Sequence, residues 1–227
     1  MSTSTGQGRD GVLAAIRAAL GTRGDEPGRR GAVLARLERA PDGIIPARAR
    51  LPKPEMIAQF RAMLEAQSAI TREVGSRDEL PQAIAALLAE HNLPGRLRHG
   101  GDAVIAALPW EGTLVERQTG PAEPADQVSL SRATVGAAET GTLFLTSGAD
   151  NPSTLNFLPD THIVILLTDD VVGSYEEAWN RLRAIYGRGT LPRTVNLVSG
   201  SSCTADIEQK IVRGAHGPRR LAVLFSP

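Results

Sequence analysis

The chain has 227 residues, 41% of them hydrophobic and 22% charged, with Lys+Arg and Asp+Glu balanced at 25 each. These values exclude a disordered chain and supply enough Leu, Ile, Val and Ala for one α/β domain, while the zero net charge offers no field to recruit a polyanion or an acidic membrane surface. Cys203 is the single cysteine, so one copy can build neither an intrachain disulfide nor a Cys-ligated iron–sulfur cluster or structural zinc.

The segment Met1 to Asp10 is polar, without a basic stretch followed by an apolar run, and the longest apolar stretch, Ile163 to Leu167, is strand-sized. A soluble cytoplasmic protein is therefore expected. From Asp10 the spacing of Val12, Leu13, Ile16, Ala19 and Leu20 predicts an amphipathic helix that Gly21 stops. Thr22 to Gly31 is rich in Gly and Arg, and Pro41 to Pro54 holds four prolines; both read as connections, with the arginines between Arg17 and Arg50 solvated. Residues 1–54 are thus a helical and flexible arm, and residues 55–227 the α/β domain.

A short helix is predicted over Ala32 to Arg39, and a longer one over Glu55 to Gln67, where Met56, Ile57, Phe60, Met63 and Leu64 share a face and Pro54 suits the first turn. An extended run, Ala69 to Val74, precedes Ser76 and Glu79, which have capping-box spacing ahead of Leu80, Ile84, Leu87 and Leu88. Short segments follow at Arg96 to Arg98, Ala103 to Leu108, Leu114 to Glu116 and Val128 to Leu130. The C-terminal half is clearer. Thr142 to Thr146, Ile163 to Leu167, Thr194 to Val198 and Leu221 to Phe225 read as buried strands, with helices at Tyr175 to Tyr186 and Ala205 to Arg213. This alternation implies a mostly parallel sheet with helices on both faces.

In open α/β sheets ligands bind beyond the carboxyl ends of the strands, and three turns carry the chemistry. Ser199-Gly200-Ser201-Ser202-Cys203-Thr204-Ala205-Asp206 follows a strand and opens the expected helix, so its amides and hydroxyls would suit an anion; simple capping by Ser202 or Thr204 is the alternative. Ala138-Glu139-Thr140-Gly141-Thr142 leads into a strand that ends at Ser147 and Gly148. Glu139 is its candidate base or nucleophile, against the alternative of a surface glutamate at a helix end. Gly214-Ala215-His216-Gly217-Pro218-Arg219 offers an approachable imidazole and a guanidinium able to clamp a carboxylate, or else a capping glycine and a turn. His162 reads as structural, holding a neighbouring loop. No His/Asp/Glu spacing matches a metal-ligand set, and GxGxxG, GxxxxGK[ST] and GxSxG are all absent.

Four ordered fragments, Ala138-Glu139-Thr140-Gly141-Thr142-Leu143, Leu158-Pro159-Asp160-Thr161-His162-Ile163-Val164, Ser199-Gly200 with Thr204-Ala205-Asp206-Ile207-Glu208, and Gly214-Ala215-His216-Gly217-Pro218-Arg219, together resemble the LUD domain. More narrowly they resemble its lactate-utilisation protein C group (LutC/YkgG). The resemblance implies a NagB/RpiA/CoA-transferase-like α/β sandwich. It also implies a place in a cytoplasmic three-protein system oxidising L-lactate to pyruvate, in which partner proteins carry the iron–sulfur ligands and this chain carries no cofactor. On the resemblance, Glu139, Thr140, Gly141, Ser199, Gly200, Thr204, Asp206, His216 and Gly217 become site residues, beside Ser147, Gly148, Ser202 and Arg219 from the turns. The sequence departs from the pattern at Ser201 and Cys203, and Asn151 to Phe157 lacks an expected arginine. Three functions follow: a lactate-system subunit binding a small carboxylate or cofactor fragment between the Glu139 and Ser199 turns, with the arm docking a partner; a stand-alone isomerase, transferase or hydrolase using Glu139; or a non-enzymatic scaffold or regulatory subunit.

Overall fold

The structure is a computed structural model that describes residues 4–21, 26–207, 210–214 and 216–227, with the side chains of residues 4–7, 204–207 and 210–213 outside the description. The chain divides into two compact units, Met1–Asp42 and Gly43–Pro227. The first holds two helices, α1 (Ser4–Leu20) and α2 (Pro27–Arg39). Gly43 to Pro54, counted with the arm from sequence, sits in the second unit. There Ala49 is buried, and the Lys53 ammonium donates to the Val171 carbonyl at 2.6 Å.

The second unit begins with α3 (Lys53–Ala66), β1 (Ile70–Glu73), α4 (Leu80–Glu90), β2 (Arg96–His99), α5 (Ala103–Ala106), β3 (Glu116–Thr119) and β4 (Val128–Arg132). Next come β5 (Val135–Ala137), β6 (Thr142–Thr146), α6 (Thr154–Phe157), β7 (Thr161–Leu167), β8 (Val171–Val172) and α7 (Tyr175–Tyr186). The last elements are β9 (Val195–Val198), β10 (Cys203–Ile207), β11 (Lys210–Arg213) and β12 (Arg220–Ser226). Six strands in the order β1-β12-β7-β4-β2-β3 form a sheet that is parallel at every pairing. A second sheet, β8-β5-β6-β9, is mixed.

The layers follow from the period-two geometry of strands. Along β7, Ile163, Ile165 and Leu167 pack with Ile84, Leu87 and Leu88 of α4, while Val164 and Leu166 turn to the opposite face. There they meet Phe60 and Leu64 of α3 and Leu143 and Leu145 of β6. The outer face of the mixed sheet gives Val135, Ala137 and Phe144 to Ala178 and Leu182 of α7, with Phe144 edge-on to Tyr175 and Trp179 at 5.4 and 5.3 Å. The expected parallel α/β sandwich, with helices on both faces and a helical N-terminal lead-in, is the observed one. Burial on both faces is why β7 and β12 read as continuous apolar runs.

Two local expectations fail. The helix predicted over Ala205 to Arg213 is an antiparallel hairpin, with Cys203 opposite Arg213 and Ile207 opposite Lys210. Ile207 and Ile211 have helical spacing, but the cross-strand pairing of β10 with β11 overrides that local signal. No helix N-terminus therefore follows Ser199. At Ser76 the box is not made: Glu79 accepts from the Gly75 N–H at 3.0 Å, one residue before the cap position, and the Ser76 hydroxyl donates to Glu79 instead of capping the backbone. The complete capping box lies at Ser174 and Glu177, opening α7.

Gly141 closes the turn between β5 and β6 with φ of 64°, and a Cβ there would stand 2.7 Å from the Met63 Cβ. Both facts require glycine. Gly141→Ala is expected to cost roughly 2–4 kcal/mol, combining left-handed strain with overpacking against α3. Urea unfolding at neutral pH measures it; an unchanged midpoint would show that the turn relaxes freely.

Candidate functional site

The Ala138–Gly141 turn is fixed by its carbonyls as well as by Gly141. The Ala138 carbonyl accepts from the Gln59 side chain at 3.1 Å, and the Glu139 carbonyl from Arg48 Nε at 3.2 Å. The Glu139 carboxylate is buried and accepts from the Tyr175 N–H at 2.8 Å, with a guanidinium nitrogen of Arg48 3.9 Å from its other oxygen. An acidic group is thereby set on the first N–H of α7, where the helix dipole favours negative charge. The Tyr175 hydroxyl returns to Thr142 Oγ1, which also lies 2.7 Å from Thr140 Oγ1 and from Ser199 Oγ. The Glu139 and Ser199 turns therefore meet, and the Thr142 hydroxyl is their junction.

On the other side of Ser199 lies a cavity of about 220 Å³. Val198, Ser199, Gly200 and Ser202 form one wall, and His216, Gly217 and Pro218 another. Its remaining lining includes Phe157, Leu197 and Leu221, with two polar residues, Asn156 and His162. His162 and Leu221 are the second residues of β7 and β12 and pair in register. The cavity thus sits at the amino ends of the central parallel strands, contrary to the carboxyl-end placement that open α/β sheets suggest. It is the carboxyl end of β9, from the mixed sheet, that brings the Ser199 turn there.

His162 and Asn156 are each about 1% exposed. His162 Nε2 lies 3.1 Å from Ser131 Oγ, which donates to Asn156 Oδ1 at 3.3 Å. Among the described residues, His162 Nδ1 and Asn156 Nδ2 have no hydrogen-bond partner. Burial pushes the His162 imidazole down to about 3, so the ring is neutral at physiological pH.

Comparison with known proteins places this architecture. Lactate utilization protein C of Deinococcus radiodurans is 33% identical over 186 residues, covering 79% of this chain and 83% of that protein. The chain belongs to the LUD domain family, in its lactate utilization protein C group. The LUD domain model itself matches residues 125–226, which hold every site residue singled out from sequence. Lactate utilization protein C of Shouchella clausii is 34% identical over 109 residues, a match spanning about half of this chain and 47% of that protein's own length. The crystal structure of a DUF162 family protein from Deinococcus radiodurans superposes with a TM-score of 0.58 at 24% identity, over 78% of this chain and 99% of that one, and shares its fold.

Within this LUD domain, the structure gathers Ser199, Gly200, Ser202, His216 and Gly217 on the cavity. Glu139, Thr140 and Gly141 stand behind it, tied to Ser199 through Thr142. Ser147 and Gly148 are at the far end of β6, where the Ser147 hydroxyl accepts from the Thr194 N–H. Arg219 is exposed, with its Nε 3.5 Å from Asp160 Oδ1, and is not among the lining residues. The side chains of Thr204 and Asp206 lie outside the described residues. Sequence reasoning missed Asn156 altogether and gave His162 only a supporting role. The available signal was a histidine at an inward position of an otherwise apolar strand.

Two predictions follow from the buried groups. Glu139→Gln keeps an acceptor for the Tyr175 N–H but loses the charge, and Glu139→Ala loses both; unfolding free energies should fall in that order, by about 1–3 kcal/mol for the alanine. Equal stability of all three proteins would mean that Glu139 does not anchor α7. For His162, the unfolded ring protonates near its ordinary value of 6.5, while the folded ring resists to about 3. Between those limits the unfolded chain binds more protons, so the contribution is complete above the upper limit and lost on acidification, at about 1.4 kcal/mol per pH unit. His162→Gln should therefore lose about 2 kcal/mol less than the parent protein when moved from pH 7 to pH 5. Parallel stability profiles would contradict a neutral buried ring.

Proposed function

We propose that this chain is a subunit of a cytoplasmic lactate-utilisation system that oxidises L-lactate to pyruvate together with iron–sulfur partner proteins. Its own task in that system is to hold a small carboxylate, or the acidic fragment of a cofactor, in the cavity beside Ser199. The observation that carries this reading is the Deinococcus radiodurans relative, named lactate utilization protein C and aligned over most of both chains. Relatives of the same name from Bacillus subtilis and Geobacillus thermodenitrificans, each 32% identical over about half or more of this chain, add support.

The cavity's chemistry agrees with such a ligand. Its described lining contains no acidic residue and places His216, Ser199 and Ser202 with apolar Phe157, Leu197 and Leu221, a mixture typical of small-molecule sites. A single cysteine cannot supply four thiolates, so the clusters are assigned to the partners. The first unit offers a docking surface for them: Val12 and Ile16 of α1 and Val33, Leu34 and Leu37 of α2 are exposed. Among the described residues no helix is long and apolar enough to cross a membrane.

Deleting the gene should abolish or strongly slow growth on L-lactate as carbon source while leaving growth on pyruvate unchanged, with recovery on complementation. A deletion strain that grows normally on lactate removes the proposal.

A further inference from the structure

We infer that the cavity beside Ser199 selects monocarboxylates by apolar bulk, with an optimum well above the three-carbon acids. The inference rests on reading the cavity as a carboxylate site. It names the class of ligand as an acid whose apolar body is a ring or chain of roughly six carbons.

The cavity encloses about 220 Å³. A dry apolar cavity of about 150 Å³ holds one benzene, so at the same filling this one takes roughly nine non-hydrogen atoms. Lactate and pyruvate are no larger than benzene and would leave about a third of the space to water.

The lining decides what kind of atoms fill that space. Phe157, Leu197, Val198, Pro218 and Leu221 supply apolar surface. Of these, Phe157 and Leu197 are 46% and 45% exposed, so a ligand between them removes large apolar side chains from water. A single methyl covers little of this surface, and each further methylene laid against it raises affinity about three- to fourfold. Among the described lining residues there is no Lys, Arg, Asp or Glu, so no charge pair competes with that trend. Polar recognition falls to Ser199, Ser202 and His216, with the carboxylate kept at the mouth in contact with water.

Gly217 sits where a methyl would shorten the cavity. Its φ is not left-handed, and a Cβ there would lie 3.4 Å from Ser202 Cβ and 3.9 Å from Phe157 Cδ1, ordinary contacts between lining residues. Gly217→Ala therefore takes up ligand space without straining the backbone. Gly200 offers no such probe, because a Cβ there would stand 2.4 Å from Gln67 Cβ.

The test is calorimetric titration of the full-length chain with the sodium salts of L-lactate, acetate, butyrate, hexanoate, octanoate, decanoate and benzoate. Hexanoate and benzoate should bind at least about tenfold more tightly than L-lactate, and the gain per methylene should end by decanoate. Gly217→Ala should weaken hexanoate and benzoate by at least about fivefold, and Leu197→Ala, which removes a half-exposed part of the wall, by about threefold. L-lactate binding as tightly as hexanoate and benzoate overturns the inference and leaves the carboxylate reading standing. Binding of none of the acids overturns both. A series that keeps rising through decanoate, or one unchanged in both variants, overturns the assignment to this cavity.

Discussion

A strand buried along its whole length can carry a polar side chain only where hydrogen bonds replace the water it has lost. β7 is such a strand: all seven of its residues are buried. Within the middle of the sheet, neighbouring positions are filled by Ile, Val and Leu, each large side chain contributing on the order of 1.5–3 kcal/mol by burial. His162 breaks that pattern at the amino end, and the interior answers with Ser131 from the adjacent β4 and Asn156 from α6. Ser129 of the same strand is also buried, and it donates to the Leu155 carbonyl. The amino edge of the central sheet is therefore a polar layer under apolar cover, and the cavity lies against it.

The mixed sheet reaches that layer by a different route. Its turn from β5 to β6 is clamped on α3 by Gly141 and Gln59, and on α7 by the Glu139 carboxylate. Thr142 then passes the constraint to Ser199 by a single hydroxyl contact. Ser199 consequently faces two ways, toward a rigid lattice of hydroxyls and toward the cavity. Gly200 next to it lies against α3, where a Cβ would come within 2.4 Å of the Gln67 Cβ. Glu139, the most chemically suggestive residue in the sequence, is thus an anchor for the helix whose first N–H it accepts, and its influence on the cavity passes through Thr142.

How much of this was legible from the sequence depended on whether the signal was local. β6 and α7 appear at the expected residues, because Thr142–Thr146 is a compact apolar run between turns and Tyr175–Tyr186 has helical periodicity. The hairpin of β10 and β11 was not legible. Ile207 and Ile211 lie four apart, and Glu208-Gln209 between the strands contains neither Gly nor Asn to announce a tight turn. A strand pair without turn chemistry is specified by partners distant in the chain, and a window on the sequence does not contain them. Losing the helix after Ser202 also removes the dipole on which an anion site at that turn had depended.

The same distinction separates the legible half of the site from the other half. The walls of the cavity, Ser199 to Ser202 and His216 to Gly217, are turns rich in Gly and Ser, and residue type alone marks them as places a ligand can approach. Its floor takes Asn156 from α6 and His162 from β7, with Ser131 of β4 hydrogen-bonded to both from outside the lining, and these residues carry no common motif. Ser131 and His162 stand on adjacent strands, and Asn156 is placed only by a four-residue helical turn. Polar residues scattered through apolar segments look in sequence like isolated exceptions, each explicable alone as a satisfied core group. Only their convergence on one hydroxyl, beside a cavity that His162 and Asn156 help to line, shows the three exceptions to be one polar cluster.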